Sequence, residues 1–184
     1  MFTTGFTMNA LPLAELENGK TLIWMKHQAV KMDCAVTGSV IISKNESFYN
    51  RLFFVFPNGD YKTYDKRHTF TLAGEHDTFA SGNQRLIVDL LGWKICPLIC
   101  YDLRFPVWAR NTEDYANWPE KRIAAWDALL KARSIENMAY CVGVNRTGKD
   151  GNKHQYIGHS AVYNVLGEQI STANFEESFT ETIA

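Results

Sequence analysis

Cys100 follows the apolar run Ile95–Ile99 and precedes Tyr101-Asp102-Leu103-Arg104-Phe105-Pro106. A thiol where a strand gives way to a helix is held on a rigid element, beside backbone N–H groups that can stabilise a developing oxyanion. That is an arrangement for attack on a carbonyl. An ordinary thiol is mostly protonated at neutral pH, so the attack needs a base or a nearby cation. Composition alone favours a plainer role for Cys100, as a small buried apolar residue, and Cys34, Cys96 and Cys141 fit that role.

Lys66, in Tyr64-Asp65-Lys66-Arg67-His68-Thr69-Phe70, is a second candidate. A lysine beside a thiol lowers its pKa and can steady an oxyanion, although a loop lysine is ordinarily just solvated. Glu75, in Gly74-Glu75-His76-Asp77, is by itself one more loop carboxylate. Zinc is a different use for thiols, and it needs about four ligands. His27, His68, His76, His154 and His159 are scattered, no Cys/His pair accompanies Cys96 and Cys100, and no metal site is expected.

The elements that must carry these groups follow from periodicity and turn residues. Gly19–Lys31 reads as a helix with Leu22, Met25 and Ala29 on one face, and Ala35–Ser43 as a strand. Tyr49–Phe56 and Asp60–Tyr64 flank Pro57-Asn58-Gly59 as a hairpin. Residues 65–84 read as a long polar loop, and such loops are often functional. Strands are expected at Arg85–Leu91 and Trp93–Ile99, and helices at Leu103–Asn111 and Pro119–Met138. Tyr140–Asn145 reads as a buried strand and Gly148–Gly151 as a turn, and Ser160–Val165 and Glu168–Ser171 as a hairpin. Hairpins mixed with strand–helix–strand units predict an α/β layered fold with mixed sheets.

The 184 residues, 46% apolar, suit one domain with one sizeable core. A net charge of −1 offers no general attraction to nucleic acid or an anionic membrane. The apolar runs are too short to span a bilayer, and no basic, apolar-cored leader opens the chain. Four cysteines are too few for a disulfide scaffold, which points to a reducing cytoplasm.

Taken in order, several segments resemble the nitrilase superfamily of carbon–nitrogen hydrolases. Tyr64–Phe70 is similar to its catalytic-lysine segment and Ile99–Pro106 to its nucleophile segment. Lys131–Asn137, running into Tyr140, resembles the helix after the nucleophile, and Gly158–Val162 with Leu166-Gly167-Glu168 its late strand-turn-strand. The resemblance covers nearly the whole chain. It implies an αββα sandwich, a homodimer, and a Glu–Lys–Cys site working without a cofactor on a small-molecule amide. By it Cys100 is the nucleophile, Lys66 and the Tyr101 N–H hold the oxyanion, and Glu75 orients the lysine.

The base glutamate of the family would fall one position before Met1, ahead of Met1-Phe2-Thr3-Thr4-Gly5-Phe6. The first strand–helix portion, a strand around 112–118 and a C-terminal extension are also missing from the pattern. A partial hydrolase domain over 1–184 is therefore expected. Phe6-Thr7-Met8-Asn9, Tyr64-Asp65-Lys66-Arg67-His68 and Ala116-Asn117-Trp118-Pro119-Glu120-Lys121-Arg122 look most like the ω-amidase branch, which acts on α-keto acid monoamides. Such a substrate needs a clamp for its distal carboxylate, for which Asn117, Trp118 and Arg146 are the candidates. Another amidase, carbamoyl or nitrile hydrolase, or an inactive oligomerising module, are the alternatives.

Overall fold

The computed structural model describes residues 1–105, 108, 123–151, 153 and 155–172. The chain divides into two compact units, Met1–Asp102 and Leu103–Ala184.

In the first unit, helix α1 (Lys20–Met32) covers a three-stranded antiparallel sheet of β1 (Val36–Lys44), β2 (Ser47–Val55) and β3 (Tyr61–Asp65), in that order. The expected helical face is the buried one: Leu22, Met25 and Ala29 pack with Val40 and Ile42 of β1 and Phe53 and Val55 of β2. Side chains alternate across a strand, so Ile41, paired with Asn50, lies on the opposite face, where it packs with Ala10 and Phe79. Leu52 pairs with Tyr64 two residues along. The face away from α1 thus receives both apolar and polar groups, and the candidate site is built there.

Two turns set the registers. Asn45 and Glu46 both take positive φ (49° and 63°), the backbone of a two-residue hairpin loop whose twist matches its strands. Gly59, at φ 84°, turns the chain after Pro57-Asn58. Before α1, the first residues run beside β1: the Phe2 N–H donates to Ser39 O, the Glu15 N–H to Ile41 O, and the Ser43 N–H to Glu15 O.

Several expected elements are shorter. Residues 65–84 contain a 3₁₀ turn (Thr71–Ala73) and one turn of helix, α2 (Glu75–Thr78), on either side of Gly74 at φ 68°. The two strands expected before Cys100 shrink to β4 (Val88–Leu90) and β5 (Trp93–Ile95), which pair with each other. Pro97, which has no N–H to give a ladder, stands two residues beyond the end of β5. Cys100 accordingly opens a 3₁₀ turn (Cys100–Arg104) rather than ending a strand.

In the second unit, α3 (Ile123–Asn137) lies against β6 (Cys141–Gly143) and β9 (Ala161–Tyr163), an antiparallel pair. Leu130 packs with Ala161 and Tyr163. A Cβ on Gly143 would meet Leu130 at 2.4 Å, so that glycine permits the close approach. Val142 and Val144 are exposed, so Tyr140–Asn145 is not the buried strand its composition suggested. Gly148 is part of β7 (Thr147–Lys149), paired with β8 (Gln155–Ile157), instead of opening a turn. The hairpin about Leu166-Gly167 is present, with Gly167 at φ 76° and the Asn164 N–H donating to Glu168 O. Most of the helix expected at Leu103–Asn111 and the start of Pro119–Met138 lie outside the described residues.

Candidate active site

Lys66 leaves the end of β3 and is no solvated loop lysine. Its side chain is 1% exposed, that of Glu75 is 0%, and Nζ stands 2.6 Å from Glu75 Oε2. Three donors converge on the Glu75 carboxylate: Lys66 Nζ, the Phe70 N–H at 2.6 Å on the same oxygen, and Asn50 Nδ2 at 3.2 Å on Oε1. Charge-assisted bonds of this kind are short and strong, and they fix the carboxylate in place. Asn50 comes from the centre of β2, where its own Oδ1 is buried and accepts no hydrogen bond among the described residues. That orphaned oxygen is the cost of aiming the amide N–H₂ at Glu75.

The lysine backbone is fixed on both sides, its N–H donating to Asn50 O at 3.0 Å and its C=O accepting from the Gly82 N–H at 2.9 Å. Gly82 has to be glycine, since a Cβ there would lie 2.1 Å from the Asp65 carbonyl oxygen. Gly82→Ala is expected to cost about 1–3 kcal/mol in urea unfolding as residues 65–66 are pushed aside. A variant as stable as its parent would show that this backbone yields freely.

Phe6 faces Lys66 Nζ, with its ring centroid 5.9 Å away. Phe70 lies between Phe6 (centroids 6.4 Å apart) and Tyr101 (4.8 Å), so aromatic surface lines one side of the lysine.

Cys100 takes φ 47°, a left-handed conformation that a non-glycine residue adopts at a cost on the order of 1 kcal/mol. It is exposed at the surface, yet protein atoms crowd it closely enough that desolvation pushes the thiol above its usual range. The Lys66 cation is the largest influence in the other direction, whereas Glu75 and Asp102 raise the thiol further. Cys96 is also pushed up by burial, and Cys141 to about 11. Cys34 is exposed.

The Asp102 carboxylate is fully buried two residues beyond the thiol. Oδ2 accepts from Tyr64 Oη at 2.7 Å and from the Ile99 N–H at 3.1 Å. Oδ1 accepts from the His68 N–H at 2.8 Å and lies 3.0 Å from His68 Nδ1. Neither Asn50 nor Asp102 stood out in the sequence. The only signals were an asparagine inside an apolar strand and an acid two places beyond a candidate nucleophile.

The structure thus brings Lys66 and Glu75 into contact and puts Cys100 within reach of both charges. Asn117 and Trp118 lie outside the described residues. Arg146, in the second unit, sets its guanidinium over the Tyr156 ring at 5.1 Å. Among the described residues no group of three or more His, Cys, Asp or Glu side chains could hold a metal ion.

The family model for carbon-nitrogen hydrolases matches residues 1–183. The chain is 47% identical to the omega-amidase YafV of Yersinia enterocolitica, over 91% of this chain and 68% of that protein. It is 34% identical to the 2-oxoglutaramate amidase of Bacillus subtilis, over 96% and 72%. A solved CN-hydrolase superfamily protein from Xanthomonas campestris, 40% identical, superposes with a TM-score of 0.89 over 96% of this chain and 72% of that one. The chain therefore belongs to the carbon–nitrogen hydrolases and has the mixed α/β fold of the nitrilase superfamily.

Proposed function

We propose that this chain is a cysteine-dependent ω-amidase that releases ammonia from α-keto acid monoamides such as α-ketoglutaramate. The observation that carries the reading is the buried Lys66–Glu75 pair whose cation acts on the Cys100 thiol. The relatives named omega-amidase and 2-oxoglutaramate amidase support the substrate class.

In this reading the Cys100 sulfur attacks the amide carbon, and the carbonyl electron pair moves onto oxygen. Lys66 Nζ and the Tyr101 N–H stabilise that oxyanion, where fixed donors are worth most. Glu75 keeps Lys66 aimed. The thiol proton passes through a base to the leaving nitrogen, the C–N bond breaks, and ammonia departs. Water then cleaves the thioester, giving the acid and restoring the thiol. Both Glu75 oxygens are already engaged, so Glu75 is poorly placed to be that base. The resemblance assigns that role to a glutamate ahead of Met1. Asn117, Trp118 and Arg146 are the proposed clamp for the distal carboxylate.

Residues 1–184 belong to a single hydrolase domain, of which they are a part, and it works in the cytoplasm as a homodimer. Exposed Ile135, Met138 and Tyr140, at the end of α3 and just after it, supply apolar surface for such pairing. Ammonia release from α-ketoglutaramate, with an acyl adduct on Cys100 seen by mass spectrometry after acid quench, tests the activity. Turnover of a carbamoyl compound or a nitrile, without turnover of α-ketoglutaramate, would move the chain to another branch of the superfamily. A total lack of turnover across the panel would reject the enzymatic reading.

A further inference from the structure

Asp102 is the buried group whose bonds reach both chemical segments. Two of its donors, Tyr64 and His68, stand two residues before and two residues after Lys66. The third belongs to the turn that carries Cys100: the Ile99 N–H donates to Oδ2, and the Asp102 N–H donates back to Ile99 O at 3.1 Å. This reciprocal pair closes the turn around the one residue in it with positive φ, Cys100. Tyr64 extends the network by accepting the Arg67 N–H at 3.2 Å.

We infer that Asp102 is a positioning residue, a strut that locks the left-handed turn of Cys100 and ties it to the segment bearing Lys66. The inference rests on the roles proposed above for those two residues. The physical case is one of acceptors. A carboxylate side chain offers two oxygens and about four lone-pair directions, and the Tyr64 hydroxyl, the Ile99 N–H and the His68 N–H take three of them. No other side chain type of that size accepts from all three groups on two oxygens. Asparagine keeps the shape but replaces one acceptor with a donor, so at least the Tyr64 and Ile99 bonds or the His68 bonds are lost. The thiol and the ammonium then drift relative to each other, and misplacement of about 1 Å can cost on the order of 100-fold in rate.

The test uses the full chain and two variants, Asp102→Asn and the milder Tyr64→Phe, which removes a single donor. Two readouts are taken on protein shown by circular dichroism to be folded at the assay temperature. The first is amide hydrogen exchange, which needs no turnover. Asp102→Asn is expected to speed exchange about tenfold in both 66–70 and 99–102, with the β1–β2 hairpin unchanged. Tyr64→Phe is expected to speed it in the same two segments by a smaller factor. The second is steady-state hydrolysis, where kcat should fall at least about tenfold in Asp102→Asn and less in Tyr64→Phe, with KM within about twofold in both. Acceleration confined to 99–102, or a kcat kept within about twofold in folded Asp102→Asn, would overturn the inference. If Asp102→Asn does not fold, Tyr64→Phe decides by the same criteria. If the parent chain turns over nothing, the proposed function fails while the exchange measurement still decides the strut.

Discussion

Cys100→Ala is expected to abolish ammonia release, a fall on the order of 10⁴-fold or more, while leaving the fold intact. The two halves of that expectation have different causes. The chemistry disappears because no other group can form the acyl intermediate, and removal of a covalent nucleophile costs far more than removal of a supporting group. The fold persists because alanine keeps the Cβ and so meets the left-handed φ of 47° no worse than cysteine does. Steady-state assay and a melting curve on the same preparation check both halves. Residual activity within about tenfold of the parent would mean that another residue attacks.

The same thiol carries a pH signature. Desolvation holds Cys100 above its ordinary value near 9.0, and a raised acid pKa means that the reactive thiolate is scarce at neutral pH. Its fraction grows about tenfold per pH unit until the raised pKa is reached. Alkylation of Cys100 by iodoacetamide should therefore keep accelerating through pH 9 instead of levelling below it. Peptide mapping is needed for this measurement, because exposed Cys34 reacts as well.

Glu75→Ala has the second large expected effect, and there it is stability that falls. Lys66 would stay buried without its carboxylate, and breaking such a pair costs about 3–5 kcal/mol because the remaining charge has no compensation. The Phe70 N–H would lose its acceptor at the same stroke. Glu75→Gln should cost less. Its amide oxygen can still accept from Lys66 and Phe70, and rotation of Asn50 would turn the unused Oδ1 toward the new N–H₂. Urea unfolding of the two variants should therefore rank alanine well below glutamine. Equal stabilities would mean that charge, and not hydrogen bonding, dominates the pair. In both variants Lys66 loses the carboxylate that holds it, so oxyanion stabilisation and turnover should fall together.

The sequence was informative where one residue's type is tied to one local geometry. The apolar stripe of α1, the Pro57-Asn58-Gly59 turn and the Leu166-Gly167 hairpin are such cases, because periodicity and turn chemistry act over a few residues. The ordered segments around Lys66 and Cys100 likewise pointed to the reaction class. Length of strand was harder to read. Trp93–Ile99 looks like a long strand by composition, but Pro97 and the lack of a longer partner limit it to Trp93–Ile95. Asn50 and Asp102 were illegible for a different reason. Their importance comes from hydrogen-bond partners that are 25 and 38 residues away in sequence, and only the folded sheet brings those together.

The run of chain beside β1 has a consequence for self-association. With strand order β1-β2-β3, β1 lies at one end of its sheet. Phe2, Glu15 and Ser43 exchange backbone hydrogen bonds across that outer side. An uncovered strand end offers unpaired N–H and C=O groups to any extended peptide. The segment before α1 thus works as a guard rail. Nicking it with a protease would leave the β1 margin free to recruit neighbouring chains, and aggregation would set in before the core itself came apart.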